Sequence, residues 1–398
     1  MRILVAHSFY KTFGGEDRYV GQYMKLLSDV HDVALLERTN ADLPGNIRTA
    51  ARMIFSRREG ASVDKELAEF APDLVHLHNP YPGFGPAVHL AVKRRNVPLV
   101  MTIHNFRLRC PNSLMFTEGE LCRRCERGVY AHAWFHDCFP TKAQALGYSV
   151  GLWTHRFVLD LEDKVDVFVV PSRFMQDQLM RWGIARERIA LVRNFTDVPT
   201  GDPSPGEFGL YFGRLSPEKG LEHLIDALRL AGDPPFRIVG DGLLRDDVAR
   251  RISESGLRNT TLEARIPAEE VPSLLHNARY VVLPSVSHEN APLAALEAMA
   301  AARPLFVTER GGLPELVEDG AGLTCRAGDA ADLARVMQTF MDDVDLCQRS
   351  GEKGAARAKE DFGPRTHLRR LEEVYASATD DRSRHRPRPA DDPGPPVP

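Results

Sequence analysis

The sequence has no long hydrophobic run: no stretch approaches the roughly 20 consecutive apolar residues that a membrane span requires. Its start, Met1-Arg2-Ile3-Leu4-Val5-Ala6, reads as a strand and is too short for a signal peptide. The expectation is a chain that stays in the cytoplasm. Cysteine is scarce, six in 398 residues, which is no disulfide scaffold; in a reducing compartment these residues would be thiols or metal ligands. An excess of one charge is also missing. The net charge is −4, so the overall balance does not draw the chain to nucleic acid or to an anionic membrane. The G-x-G-x-x-G spacing of dinucleotide oxidoreductases is absent from the first strand-to-helix turn, which argues against NAD.

What is present is ordinary globular composition, 43% hydrophobic and 27% charged, over a length that suits two domains. Basic clusters occur at Arg57-Arg58, at Lys93-Arg94-Arg95, and at Arg123-Arg124 with Arg127. Solvated surface explains each of them. The sharper reading is that the first two touch an anionic acceptor or a membrane face, which would make the protein peripheral at the inner side of a membrane.

Nearly continuous apolar runs predict strands at Ile3–Ala6, Val33–Leu36, Leu74–His78, Leu99–Ile103 and Val167–Val170, as expected of a parallel sheet buried on both faces. Helical spacing separates them; Val20, Met24 and Leu27 follow Glu16. From Asn194 to Phe208 the pattern stops, and Pro199, Gly201, Pro203, Pro205 and Gly206 give linker composition. The alternation then restarts with strands at Leu210–Gly213, Phe236–Gly240, Tyr280–Leu283 and Leu305–Thr308, and a helix marked by Leu221, Leu224, Ile225 and Leu228. The predicted class is α/β, two doubly wound Rossmann-like domains facing across a cleft. Their bounds are 1–195 and 209–365 around a linker at 196–208. A helix at 366–379 follows, striped by Leu368, Leu371, Val374 and Tyr375, and then an Arg- and Pro-rich tail at 380–398 with nothing to bury.

The most specific stretch runs from His288 to Ala300. Pro292 suits the first turn of a helix, whose free N–H groups and dipole would attract a diphosphate. Glu289 before that helix and Glu297 within it could accept hydrogen bonds from sugar hydroxyls, or could both be surface carboxylates of an amphipathic helix. Gly213-Arg214-Leu215-Ser216-Pro217-Glu218-Lys219-Gly220 places a guanidinium and an ammonium after a strand, where phosphate oxygens would be held; a solvated turn is the alternative. Gly14-Gly15 follows the first strand and lets backbone approach a phosphate. His104 stands at a strand end that usually carries function, though a lone histidine is often a packed one. His76 and His78 share a strand face and read as packing or cleft wall.

Together these motifs resemble the retaining glycosyltransferases of family 4, of GT-B architecture. The likeness runs from Arg2 to about Tyr375. It rests on Gly14-Gly15-Glu16, Asp73 to Asn79, Thr102-Ile103-His104-Asn105, the Arg214–Lys219 loop, Val239-Gly240-Asp241-Gly242, Glu289 with Glu297, and Gly311-Gly312-Leu313-Pro314-Glu315. The resemblance implies that Arg214 and Lys219 hold the donor diphosphate, that Glu297 binds the ribose and that Glu289 contacts the transferred sugar. His104 would lie beside that sugar, and Gly15 near the phosphate and acceptor. Gly240, Asn290, Ala291, Pro292 and Leu293 would line the donor pocket. It also implies no catalytic metal, since a leaving diphosphate can be stabilised by Arg, Lys and a helix end. The partners would be a UDP- or GDP-sugar and a glycan, lipid-linked or small-molecule acceptor. Where the family often has Phe-Gly, this chain has Ala291-Pro292; the proline removes a donor, but polysaccharide-type members often carry Pro-Leu there.

Cys110, Cys122, Cys125 and Cys138 form C-x11-C-x2-C-x12-C within an insertion at about 105–140. Four cysteines could complete a tetrahedral structural zinc site, with His132 and His136 as substitutes; free buried thiols or a single disulfide are the alternatives. The stretch Arg107 to Asn112 resembles a subgroup of the family that builds cell-surface polysaccharides and often carries this cluster. Following His104, the insertion should border the acceptor side of the cleft. Cys325 and Cys347 read as ordinary thiols. The rival functions are a sugar-nucleotide epimerase of similar architecture, and a scaffold that binds nucleotide-sugar or glycan without transfer.

Overall fold

The computed structural model describes residues 1–11, 14–40, 46–201, 203 and 206–384. In chain order the strands are β1 Arg2–Phe9, β2 Asp32–Thr39, β3 Leu74–Leu77, β4 Leu99–Thr102, β5 Phe116–Thr117, β6 Glu120–Leu121, β7 Val167–Val170 and β8 Ile189–Leu191. They continue with β9 Phe208–Phe212, β10 Phe236–Val239, β11 Thr260–Glu263, β12 Ala278–Leu283, β13 Leu305–Thr308 and β14 Gly322–Cys325. Among the described residues they build two six-stranded parallel sheets, ordered β2-β1-β3-β4-β7-β8 and β11-β10-β9-β12-β13-β14, and a small β5-β6 hairpin. The order reverses between β1 and β3 in the first sheet and between β9 and β12 in the second. At those points the strand carboxyl ends open a crevice.

The apolar runs are continuous because each sheet is covered on both faces. In β1, Leu4 and Ala6 join one buried cluster while Ile3 and Val5 join another. In β12, Val281 and Leu283 face one cluster and Tyr280 and Val282 the other. The strand forecasts hold with shifted ends: β1 and β2 extend to Phe9 and Thr39, and β3 stops before His78. The edge strands β11 and β14 and the short β8 complete the sheets.

The last helix, Pro364–Arg384, packs Leu371, Val374, Tyr375 and Ala378 against the first sheet, so the chain returns to its N-terminal half. Tyr375 Oη lies 2.6 Å from His76 Nδ1 and also meets the Tyr23 hydroxyl. This helix corrects the forecast of an unstructured tail from 380, because it continues to Arg384; residues 385–398 of that tail lie outside the described residues. Among the described residues no helix is long and apolar enough to cross a membrane.

Candidate active site

The loops after β9 and β12 meet at the second sheet's switch point. Gly213 turns the chain out of β9, with φ +155°. Its carbonyl lies so close to Gly240 that a Cβ there would stand 1.9 Å from it, so Gly240 is a close-approach glycine that seats the two strand-end loops. Arg214 follows, largely exposed, with Nη2 3.3 Å from Glu218 Oε1. Glu218 is itself buried and accepts from Ser216 Oγ at 2.6 Å. The Lys219 ammonium pairs directly with Glu289 from the β12 loop, which also accepts from Ser285 Oγ at 2.7 Å. Burial pushes the Glu289 carboxyl up, but Lys219, Ser285 and Arg214 together more than offset this, and the group lies below the ordinary carboxylate range. Glu289 is therefore an anion tied to a cation, with Arg214 beside the same loop.

The helix carrying Glu297 spans Leu293–Ala300. Pro292 is not in its first turn, as expected from sequence, but one position earlier, extended at φ −68° and ψ 132°, as the N-cap. The N–H groups of the first turn then start at Leu293. Glu297 is buried, and its Oε1 meets Arg18 Nη2 from the first unit at 2.5 Å. Its other oxygen, Oε2, is buried without a hydrogen-bond partner. Burial raises the carboxyl to about 7, with Arg18 holding it partly down. A buried carboxylate with one unpartnered oxygen is suited to accept a hydroxyl.

On the first unit, Gly15 opens the helix Gly15–Ser28, and a Cβ there would meet nothing within 4 Å. The turn is pinned by Asp17, which accepts from Gly14 N at 2.9 Å and pairs with buried His7 Nε2 at 2.9 Å. His104 lies just past β4, its Nε2 3.0 Å from His78 Nδ1. Burial, and then the nearby His7, push His104 down to about 3, so its ring is neutral at physiological pH. His76 and His78 stack at 4.5 Å between centroids. They are the packed wall expected of them, although His78 lies just beyond the strand.

The two units touch through contacts that sequence reasoning missed, although it named Asn290 and Ala291 as lining the donor pocket. Asn290 Nδ2 donates to the Ile103 carbonyl at 2.9 Å, and Asn290 Oδ1 accepts from Ser172 Oγ at 2.5 Å. Glu289 and His104 thus sit one residue from a shared contact. Asn194 Nδ2 donates to Ala291 O at 2.9 Å. Glu315 accepts from the backbone N–H groups of Arg173 and Phe174, at 3.0 and 2.7 Å, and from Arg193 Nη1 at 2.7 Å. Glu315 closes a motif quoted above, yet nothing in the sequence shows that its carboxylate reaches across to the other unit. Arg18 carries no signal beyond its place in the first helix.

Cys110, Cys122, Cys125 and Cys138 all line one small cavity of the insertion, beside the β5-β6 hairpin. Cys110 Sγ is turned to Asn112 Oδ1 at 2.9 Å and Cys138 Sγ to Thr117 Oγ1 at 3.7 Å. In this arrangement, among the described residues, no three His, Cys, Asp or Glu side chains converge to hold an ion. All four are free thiols, so a disulfide is not formed. Phe106 at the start of the insertion meets His288 of the β12 loop with ring centroids 6.1 Å apart, and burial, then Arg123 of the insertion, depress His288 to about 4. Cys325 and Cys347 are buried core thiols.

Two parallel sheets of this topology, each with its strand-end loops turned to the other unit, are the GT-B architecture. Residues 13–199 match the model of Glycosyltransferase Family 4 and residues 193–357 that of Glycosyl transferases group 1. The chain is 31% identical over 323 residues to a glycogen synthase of Mycobacterium tuberculosis, covering 77% of this chain and 69% of that protein. Among solved structures, sucrose-phosphate synthase from Thermosynechococcus elongatus superimposes with a TM-score of 0.73 at 18% identity, over 96% of this chain and all (100%) of the other. Anabaena HepE, solved with UDP-glucose, gives 0.67 at 21% identity, over 95% and 100%. The chain belongs to the GT-B glycosyltransferases, with a family 4 N-terminal half and a group 1 C-terminal half.

Proposed function

We propose that the chain is a retaining, metal-independent hexosyltransferase that uses a UDP- or GDP-sugar. The observation that carries this reading is the Lys219–Glu289 ion pair beside Arg214 at the switch point of the second sheet. There the cations stand ready for a diphosphate and the carboxylate for a sugar hydroxyl. As the bond between the sugar C1 and the diphosphate oxygen breaks, negative charge grows on the leaving phosphate. Arg214 and Lys219 stabilise it, with the first-turn N–H groups from Leu293 adding to them. Glu297 takes the ribose hydroxyls. The acceptor oxygen attacks C1 from the face the diphosphate leaves, and its proton passes to the departing phosphate oxygen. No carboxylate nucleophile is required. Neutral His104 contributes a hydrogen bond, not a charge.

The acceptor reading is a growing polysaccharide or a lipid-linked glycan, with a natural-product glycoside second. The Mycobacterium tuberculosis relative is a glycogen synthase, which favours a glycan. For the insertion the reading is a structural zinc on Cys110, Cys122, Cys125 and Cys138. The Cys110 and Cys138 thiols must first turn from Asn112 and Thr117, and the ion takes no part in transfer.

The test is incubation with UDP- and GDP-hexoses in EDTA, with NMR of the product linkage. Retention of the donor's α configuration is expected. An inverted linkage sinks the retaining mechanism. Conversion of the donor to another nucleotide-sugar without acceptor identifies an epimerase instead.

A further inference from the structure

The large apolar side chains left exposed are not scattered over the surface. Among the described residues, eight of the sixteen fall between Val129 and Val158. Isolated exposed apolar residues are normal; a contiguous group marks an interaction site.

This group is contiguous. The helix Lys142–Trp153 and the π-helical turn Thr154–Val158 after it expose Leu146, Val150, Trp153 and Phe157. Their spacing of four, three and four puts them on one helical face, the face that normally turns inward. Trp153 and Phe157 touch, with ring centroids 6.0 Å apart. The preceding segment lies alongside. Ser149 Oγ donates to Tyr130 O at 2.9 Å, and Lys142 Nζ to Trp134 O at 2.7 Å. A Cβ on Gly128 would stand 2.5 Å from Phe157 Cζ. Trp134 and Phe135, the latter 74% exposed, extend the surface from that side.

The charge around it has the opposite sign to the chain as a whole. Residues 121–158 hold five Lys and Arg against two Asp and Glu, in a protein of net charge −4. Arg127 is exposed on the flank; Arg124, also exposed, lies 3.8 Å from Glu118 Oε2. His155 Nε2 meets the Met53 carbonyl at 2.6 Å, which brings exposed Phe55 and the Arg57-Arg58 cluster to the same side. The Lys93-Arg94-Arg95 cluster differs, because Arg94 and Arg95 are both engaged by Asp64.

We infer that this face docks the N-terminal unit onto an anionic lipid bilayer. Aromatic and aliphatic side chains enter the headgroup boundary, and the flanking arginines meet lipid phosphates. Tryptophan suits that depth, and a basic rim around an apolar helix face is the pattern of an in-plane membrane contact. A second copy of the chain would bring the same positive surface against itself, so charge favours the membrane. The inference deepens the proposed function, since it makes the acceptor membrane-borne, but docking itself requires no donor and is tested without one.

The experiment is co-sedimentation of the full chain with vesicles of phosphatidylglycerol and phosphatidylcholine, against phosphatidylcholine alone, at low and high salt. The variants are Trp153→Glu and the milder Val150→Gln, with donor turnover and circular dichroism as checks on the fold. Binding to the anionic vesicles is expected, weakened by salt, and about tenfold or more weaker in Trp153→Glu, while donor turnover is unchanged. Absence of wild-type binding, or binding unaltered by both variants, overturns the inference. So does a wild-type dimer in solution that Trp153→Glu dissociates, because the face would then join two copies. Vesicle binding without turnover of any donor would sink the transferase reading and leave the docking surface standing.

Discussion

Arg18 Nη2 lies 2.5 Å from Glu297 Oε1, so the first helix of the N-terminal unit holds the carboxylate that the proposed function assigns to the donor ribose. The pair spans the cleft and leaves one Glu297 oxygen buried and unpartnered. Its consequence is a dependence of donor binding on pH. The hydroxyls of the donor favour the ionised carboxylate, whose pKa in the donor-free protein is raised to about 7. Below that pH a proton must leave before the donor binds. Affinity for a UDP-hexose, whose diphosphate has no group titrating at about pH 6 to 7, should therefore be level above about pH 7 and fall on the acid side, by up to about tenfold per pH unit. Arg18 lowers this pKa, so Arg18→Ala should move the inflection to higher pH, and Glu297→Gln should remove it. Calorimetric titration between pH 5.5 and 8.5 reads all three.

Glu315 fastens the two units. Its removal in Glu315→Ala leaves Arg193, only 8% exposed, without its carboxylate and leaves two helix N–H groups without an acceptor. A loss of about 3 kcal/mol is expected in urea unfolding. Glu315→Gln, which keeps an acceptor oxygen, should lose less.

Gly311 stands at φ +64°, and a Cβ on it would lie 2.1 Å from the Glu289 carbonyl. In Gly311→Ala the Glu289 loop must move. Because displacement of about 1 Å in a positioned site costs on the order of a hundredfold in rate, transfer should fall by that order while the protein stays folded by circular dichroism.

The insertion should purify with close to one zinc per chain by metal analysis, and Cys122→Ser should lose it. Removal of the metal should lower the thermal midpoint and leave the rate per folded molecule unchanged. Metal-free protein with unaltered stability would leave the four thiols as packing alone.

Both sheets were legible in sequence where strands run through the middle of a sheet, because burial on two faces demands an uninterrupted apolar run, as in β1 and β12. Of the edge strands, β2 was legible at Val33–Leu36, but β8, β11 and β14 were not. Thr260-Thr261-Leu262-Glu263 is polar because β11 has one neighbour and partial exposure, and Gly322 begins β14 where a Cβ would lie 2.1 Å from the Leu305 carbonyl. Within the candidate site, the residues of the two strand-end loops were legible, since Arg214 and Lys219 follow β9 and Glu289 follows β12. Contacts between units were not: the reach of Arg18 to Glu297, or of Asn290 to the Ile103 carbonyl, depends on the relative placement of two domains, which no local pattern encodes.

The most direct test of the transferase account is the steady-state rate of nucleotide release from the preferred donor in EDTA, wild type against Lys219→Ala. Loss of leaving-group stabilisation should lower kcat by a factor of about a hundred to a thousand, with the wild type fully active without divalent metal. A Lys219→Ala rate equal to wild type, or a wild type that works only after metal is restored, would contradict the assignment of diphosphate stabilisation to these side chains.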